Sequence, residues 1–210
     1  MSNKITIIGC GPGAADLITC RGRQAIIDSQ LIFGSKRLIE EFANISKAET
    51  VVMESNYKDH FGIVKEAYKS KHVTFLVSGD PLFFSLGEMI LKEFGKDHCE
   101  VIPGISSFQY GFSQVKDSWK EYQLFSIHGR GAPLKEIFQN KDQFLLLLDL
   151  KHNLQFIRDE LSEDLVKQFE YLLASDLSME NESIKKISLE NQEELEEIPS
   201  LSILIVKRKQ

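Results

Sequence analysis

The chain has 210 residues, enough for one large domain or two small ones, and its 42% apolar content supports a packed core. A net charge of −6 gives no footing for a nucleic-acid partner, and no apolar stretch nears the ~20 residues that span a bilayer. Three cysteines, Cys10, Cys20 and Cys99, without metal or disulfide spacing fit a reducing cytosol, and with no basic segment leading into an apolar run at the N-terminus a cytoplasmic protein is expected.

In chain order, Lys4–Gly9 reads as an Ile-rich strand and Ala15–Ser29 as a helix with Asp16 at its N-cap. Leu31–Phe33 is a short strand, Lys36–Phe42 a helix, Thr50–Met53 a strand, and Tyr57–Lys69 carries Phe61, Val64, Ala67 and Tyr68 at helical spacing. Val73–Val77 is a near-continuous apolar run, as in a strand buried on both faces. Phe83–Phe94 reads as helix, Glu100–Ile102 as strand and Ser106–Val115 as helix. This alternation predicts an α/β fold with a mainly parallel sheet over residues 1–117.

Past a boundary near Lys116–Lys120 the texture changes. Tyr122–Ile127 and Phe144–Leu148 are strong strands with helix Leu134–Gln139 between them, and Leu154–Leu161 is helical. Phe169–Ala174, Ile184–Ser188 and Leu201–Val206 are strands joined by short polar links, which predicts a mixed sheet for a second α/β domain, residues 118–210.

Chemistry collects at four strand ends. Gly9, Gly11 and Ala14 read as G-x-G-x-x-A, a dinucleotide fingerprint, or as a tight turn without a ligand. Against the fingerprint, Pro12 removes a donor and the next strand ends Gly34-Ser35-Lys36-Arg37 where a ribose-binding acid belongs. In Ser78-Gly79-Asp80-Pro81, Asp80 suits a ligand's hydroxyl or amino group, or the cap of a helix from Leu82. Ser106 and Ser107 follow Pro103-Gly104 and offer hydroxyls to a ligand or to a helix start. His128-Gly129-Arg130 ends a strand with an imidazole and a guanidinium; no second His stands at metal-ligand spacing.

Together these loops resemble the tetrapyrrole methylases, which use S-adenosylmethionine. Gly9-Cys10-Gly11-Pro12-Gly13 matches that family's G-x-G-P-G, and Gly79-Asp80-Pro81 its G-D-P. A narrower resemblance is to the branch that methylates C5 of precorrin-6Y or cobalt-precorrin-7. It is carried by Gly34-Ser35-Lys36-Arg37-Leu38, Ser78–Phe83, Ile102–Ser107 and Ser126-Ile127-His128-Gly129-Arg130, and it covers residues 5–130 well. The resemblance implies a two-domain fold whose second domain closes a cofactor cleft, and a homodimer. The larger enzymes of this pathway carry a fused decarboxylating methyltransferase, for which 210 residues leave no room, so a separate C15-methyltransferase subunit is a further expected partner. Carried over by position, Pro12, Gly79, Asp80, Phe83, Ser106 and Ser107 line the S-adenosylmethionine or S-adenosylhomocysteine pocket, with Leu148 as an apolar wall.

A sulfonium methyl is already activated, so alignment matters more than acid–base help. His128 is the candidate for a proton transfer, its ordinary pKa lying near neutrality. Lys36, Arg37 and Arg130 are the candidate partners of the precorrin-type substrate's carboxylates. Three other readings fit the same residues: a sibling methylase of another ring position or substrate, an NAD-dependent oxidoreductase, and a non-catalytic ligand-binding protein.

Overall fold

The computed structural model describes residues 5–54, 57–129, 131–195 and 198–209. The chain divides into two compact units, Met1–Ser106 and Ser107–Gln210. The boundary expected after residue 117 lies one helix further along than this division. The helix in question, Ser107–Val115, packs into the second unit, where Gly111 faces Leu177 and Ile203.

In the first unit, β1 (Ile5–Gly9), β2 (Leu31–Gly34), β3 (Glu49–Val52), β4 (Val73–Val77) and β5 (Cys99–Ile102) form a parallel sheet in the order β3-β2-β4-β1-β5. The alternation of side chains along each strand builds a core on each face. Ile5, Ile7, Phe33, Phe75 and Val77 pack with Phe61 and Val64 of α3 (Phe61–Ala67) and Ile90 of α4 (Gly87–Phe94). Ile8, Cys10, Ile32, Leu76 and Ile102 pack with Ile26 of α1 (Cys20–Ile27) and with Leu38 and Phe42 of α2 (Lys36–Phe42).

Two helix starts differ most from expectation. The helix expected from Ala15 begins at Cys20, because Ile18 is extended (ψ 142°) and interrupts it after a single 3-10 turn, Ala15–Leu17. Its N-cap is Thr19, whose hydroxyl accepts from the Gly22 amide at 3.0 Å, and not Asp16. The helix expected from Phe83 begins at Gly87, since Phe84 takes a left-handed φ of 48° that no helix accommodates.

The second unit opens with α5 (Ser107–Val115) and holds β6 (Gln123–Ser126), α6 (Leu134–Asn140), β7 (Gln143–Leu147), α7 (Leu154–Glu160), α8 (Glu163–Val166), β8 (Phe169–Ser175), β9 (Ser183–Ile187) and β10 (Ser202–Arg208). The sheet order is β6-β7-β10-β8-β9, with β6 and β7 parallel and the other pairs antiparallel, the mixed sheet expected. Its core is aromatic: the Phe138 ring meets Phe144 edge-on at 4.8 Å and Phe169 at 5.1 Å. No helix of the described residues is long and apolar enough to cross a membrane.

Candidate active site

β4, β1 and β5 are neighbours, so the loops after them leave the first unit's sheet at one edge, the carboxyl ends where open α/β sheets bind ligands. Those loops touch backbone to backbone. A Cβ on Gly9 would stand 2.6 Å from both the Gly104 nitrogen and the Gly79 oxygen, and one on Gly104 only 2.3 Å from that oxygen. Gly11 and Gly79, at φ 73° and 64°, form an isolated antiparallel bridge. The Gly79 amide donates to the Gly11 carbonyl at 3.0 Å, and the Gly11 amide returns the bond at 3.3 Å.

Asp80 ties the cluster further. One carboxylate oxygen accepts from the Leu82 amide at 2.9 Å and the other from the Gly104 amide on the neighbouring loop at 3.3 Å. The helix-cap alternative for Asp80 does not hold, because no helix begins at Leu82. Pro12 and Ser106 are buried in the cluster's loops, and Phe83 is half-buried with its ring 4.7 Å from Phe84. Ser107 is the first residue of α5.

Arg37 and Lys36 part company. Arg37 reaches the end of β4 and donates from Nη2 to the Ser78 hydroxyl at 2.9 Å. Lys36 points to solvent, 79% exposed, and pairs loosely with Glu40 at 3.8 Å one helical turn on. Cys10, the free position of the first loop, is buried. Desolvation pushes its thiol up to about 12 although the Arg37 charge pulls the other way, so it fills space and is no nucleophile.

The first turn lacks the layout of a dinucleotide site. A dinucleotide fingerprint runs directly into a helix whose N-terminus meets the pyrophosphate. Here the first glycine turn leads to a 3-10 turn, then an extended residue, and α1 starts only at Cys20. β2 ends at Gly34 with no acid after it. What the cluster does show is glycine backbone in close contact, with the Ser78 hydroxyl bonded by Arg37 and Ser106 buried near Gly79. Among the described residues no group of three or more His, Cys, Asp or Glu is placed to hold a metal ion.

In the second unit the loops after β6 and β7, parallel neighbours, form a cluster of their own. His128 is exposed, and its Nδ1 lies 3.2 Å from the Leu148 carbonyl oxygen. The Leu148 side chain, expected as a pocket wall, packs with this unit's core at 2% exposure. Arg130 lies outside the described residues. Sequence reasoning missed Asp149. Its carboxylate accepts from the amides of Gly129 (2.5 Å), Lys151 (2.8 Å) and His152 (2.6 Å) and faces His152 Nδ1 at 3.1 Å. Burial pushes its pKa up, but these hydrogen bonds outweigh that and hold the carboxyl well below the usual carboxylate range. The available signal was an Asp at the end of a strong apolar strand with a His three residues on.

The family model of tetrapyrrole (corrin/porphyrin) methylases matches residues 4–192. A probable cobalt-precorrin-7 C(5)-methyltransferase from Methanocaldococcus jannaschii is 31% identical over 76% of this chain and 74% of its own length. The cobalt-precorrin-7 C(5)-methyltransferase of Salmonella typhimurium is 27% identical over 86% of this chain and 88% of its own. Among solved structures, a cobalamin-biosynthesis precorrin-6Y methylase from Archaeoglobus fulgidus aligns with a TM-score of 0.76 at 25% identity, covering 99% of this chain and 100% of that one.

Proposed function

This chain belongs to the tetrapyrrole methylases, and on that footing we propose that it transfers the methyl group of S-adenosylmethionine to C5 of a precorrin-type tetrapyrrole, cobalt-precorrin-7 or precorrin-6Y, in cobalamin biosynthesis. The observation that carries the C5 assignment is the agreement of the relatives: those named for C5 methylation of cobalt-precorrin-7 match over 76% and 86% of this chain.

The cofactor is assigned to Pro12, Gly79, Asp80, Phe83, Ser106 and Ser107, with Leu148 as an apolar wall; glycine contacts and the two Asp80 bonds hold the first unit's loops together. Bound S-adenosylmethionine supplies a methyl activated by its sulfonium: the substrate carbon's electron pair forms the new bond as the carbon–sulfur pair departs with sulfur. Rigid loops serve this step by alignment, and near-attack positioning is worth ~7–11 kcal/mol. Arg37 and Arg130 are the cationic partners of the substrate's carboxylates; Lys36, held on the outer face of α2, is the lesser candidate. The positive charge delivered with the methyl leaves the ring as a proton, and His128 is the group assigned to accept it. The resemblance also carries a homodimer and a separate decarboxylating C15-methyltransferase working beside it, and a cytoplasmic setting; these belong to the same proposal.

The test is incubation with methyl-labelled S-adenosylmethionine and a panel of precorrin intermediates with and without cobalt, the methylated carbon being located by NMR. One labelled methyl at C5 is expected. A methyl at another carbon makes the protein a sibling methylase, and S-adenosylhomocysteine binding without transfer to any of the panel makes it a binding protein.

A further inference from the structure

The backbone beside His128 has open space around it at Gly129. Gly129 sits at φ 70°, and a Cβ built on it would meet nothing within 4 Å. The chain has just left the sheet: the Ile127 amide still donates to the Leu147 carbonyl at 3.0 Å, and His128 and Gly129 lie beyond the strand's last bonds and are exposed. What fixes the turn is Asp149, at the end of the neighbouring strand, whose side chain is only 14% exposed. A carboxylate offers about four acceptor directions. Four donors fill them: the amides of Gly129, Lys151 and His152, and His152 Nδ1. A carboxylate so fully occupied has no lone pair left for a substrate proton or a cation, which separates it from the catalytic groups.

The consequence falls on the imidazole. The Leu148 carbonyl opposite His128 Nδ1 can only accept, so the neutral ring carries its proton on Nδ1 and leaves a bare lone pair on Nε2. A carbonyl and a carboxylate from consecutive residues, Leu148 and Asp149, thus hold consecutive residues of the turn, His128 and Gly129.

We propose that Asp149 is a positioning residue: it clamps the His128-Gly129 turn onto the end of β7, which keeps His128 in the Nδ1–H tautomer with Nε2 free to accept the proton released after methyl transfer. The role of the clamp in turnover rests on the assignment of His128 given above; the clamp itself does not.

The test has two arms, on Asp149→Asn and Asp149→Ala, each checked by its thermal melt. The first is nitrogen-15 NMR of the protein without substrate. The wild type is expected to show the Nδ1–H tautomer at His128 and a strongly downfield Gly129 amide. Both signatures are expected to weaken in Asp149→Asn, whose amide cannot accept all the bonds. An unchanged tautomer and amide in a folded Asp149→Asn protein would overturn the proposal. The second arm is turnover with methyl-labelled S-adenosylmethionine and cobalt-precorrin-7 or precorrin-6Y. Asp149→Asn is expected to lower kcat about tenfold or more, part of the ~10²–10⁴ that a placed general base contributes. KM and S-adenosylhomocysteine affinity should stay within about twofold. On a His128→Ala background the same substitution should cost nothing further, because the two act as one unit. Additive losses would mean that Asp149 acts by some other route, and the proposal falls. A His128→Ala enzyme with wild-type turnover would instead remove the proton-acceptor role assigned to His128, while the NMR arm still decides whether Asp149 sets that ring.

Discussion

Both oxygens of Asp80 are already engaged by backbone amides, Leu82 in its own loop and Gly104 in the next. A motif position that suggests a ligand-binding acid is therefore first a loop clamp, and its effect on a cofactor runs through the loops it joins. Removing the carboxylate leaves two amides short of their acceptor, at ~1–3 kcal/mol for each that stays buried. Asp80→Ala is expected to weaken S-adenosylhomocysteine binding at least tenfold by calorimetry. Asp80→Asn, which can serve Leu82 but turns an NH2 group toward Gly104, should lose nearly as much. Wild-type affinity in a folded Asp80→Ala protein would show that the loops hold without the clamp and that the pocket lies elsewhere. Asp149 follows the same logic in the second unit. The half of each role that joins two loops is not visible in the sequence, because the Gly104 and Gly129 donors lie 24 and 20 residues from the carboxylates they meet.

At the scale of elements, the site is made by glycines that let three strand-end loops share one point. Gly104→Ala forces a Cβ to 2.3 Å from the Gly79 carbonyl oxygen, and both are backbone, so no side chain can swing aside. Overpacking of this kind costs ~1–3 kcal/mol or more, and the loops must separate to relieve it. The melting temperature of Gly104→Ala is expected to drop by several degrees, with S-adenosylhomocysteine binding lost beyond detection. Gly62→Ala, on α3 with nothing within 4 Å of the new methyl, is the control and should be neutral or stabilising. A Gly104→Ala protein as stable as the control would contradict the close approach. Strands β1, β4 and β7 were legible because near-continuous apolar runs permit little else. The starts of α1 and α4 were not. Thr19 outcompetes Asp16 only once Ile18 is extended, and the left-handed Phe84 has no signature in residue type. The meeting of Gly9, Gly79 and Gly104 was half legible: each glycine marked a turn, but their contact depends on β1 lying between β4 and β5, a fact of strand order and not of local sequence.

For the whole molecule, the open question is which charge an acidic substrate feels. The chain as a whole carries −6, and at a distance this repels a tetrapyrrole bearing many carboxylates. At contact the nearest charges dominate, since at physiological ionic strength interactions fade beyond a Debye length of ~8 Å. Arg37, turned to the end of β4 beside the glycine loops, is the described cation best placed to act over that range, and Arg130 is the further one assigned from the sequence. The two effects respond to salt with opposite sign. If the net charge governs encounter, added salt screens a repulsion and kcat/KM rises. If the local guanidinium groups govern it, salt screens an attraction and kcat/KM falls. Substrate binding by Arg37 and Arg130 requires the second outcome: a several-fold decrease in kcat/KM between about 50 and 300 mM salt, with S-adenosylhomocysteine affinity nearly constant because that ligand carries little net charge. In Arg37→Gln the decrease should be shallower, one screened attraction having been removed. A kcat/KM that rises with salt in the wild type would place the substrate's carboxylates away from these cations and return Arg37 to its visible role, a bond to the Ser78 hydroxyl that steadies the end of β4.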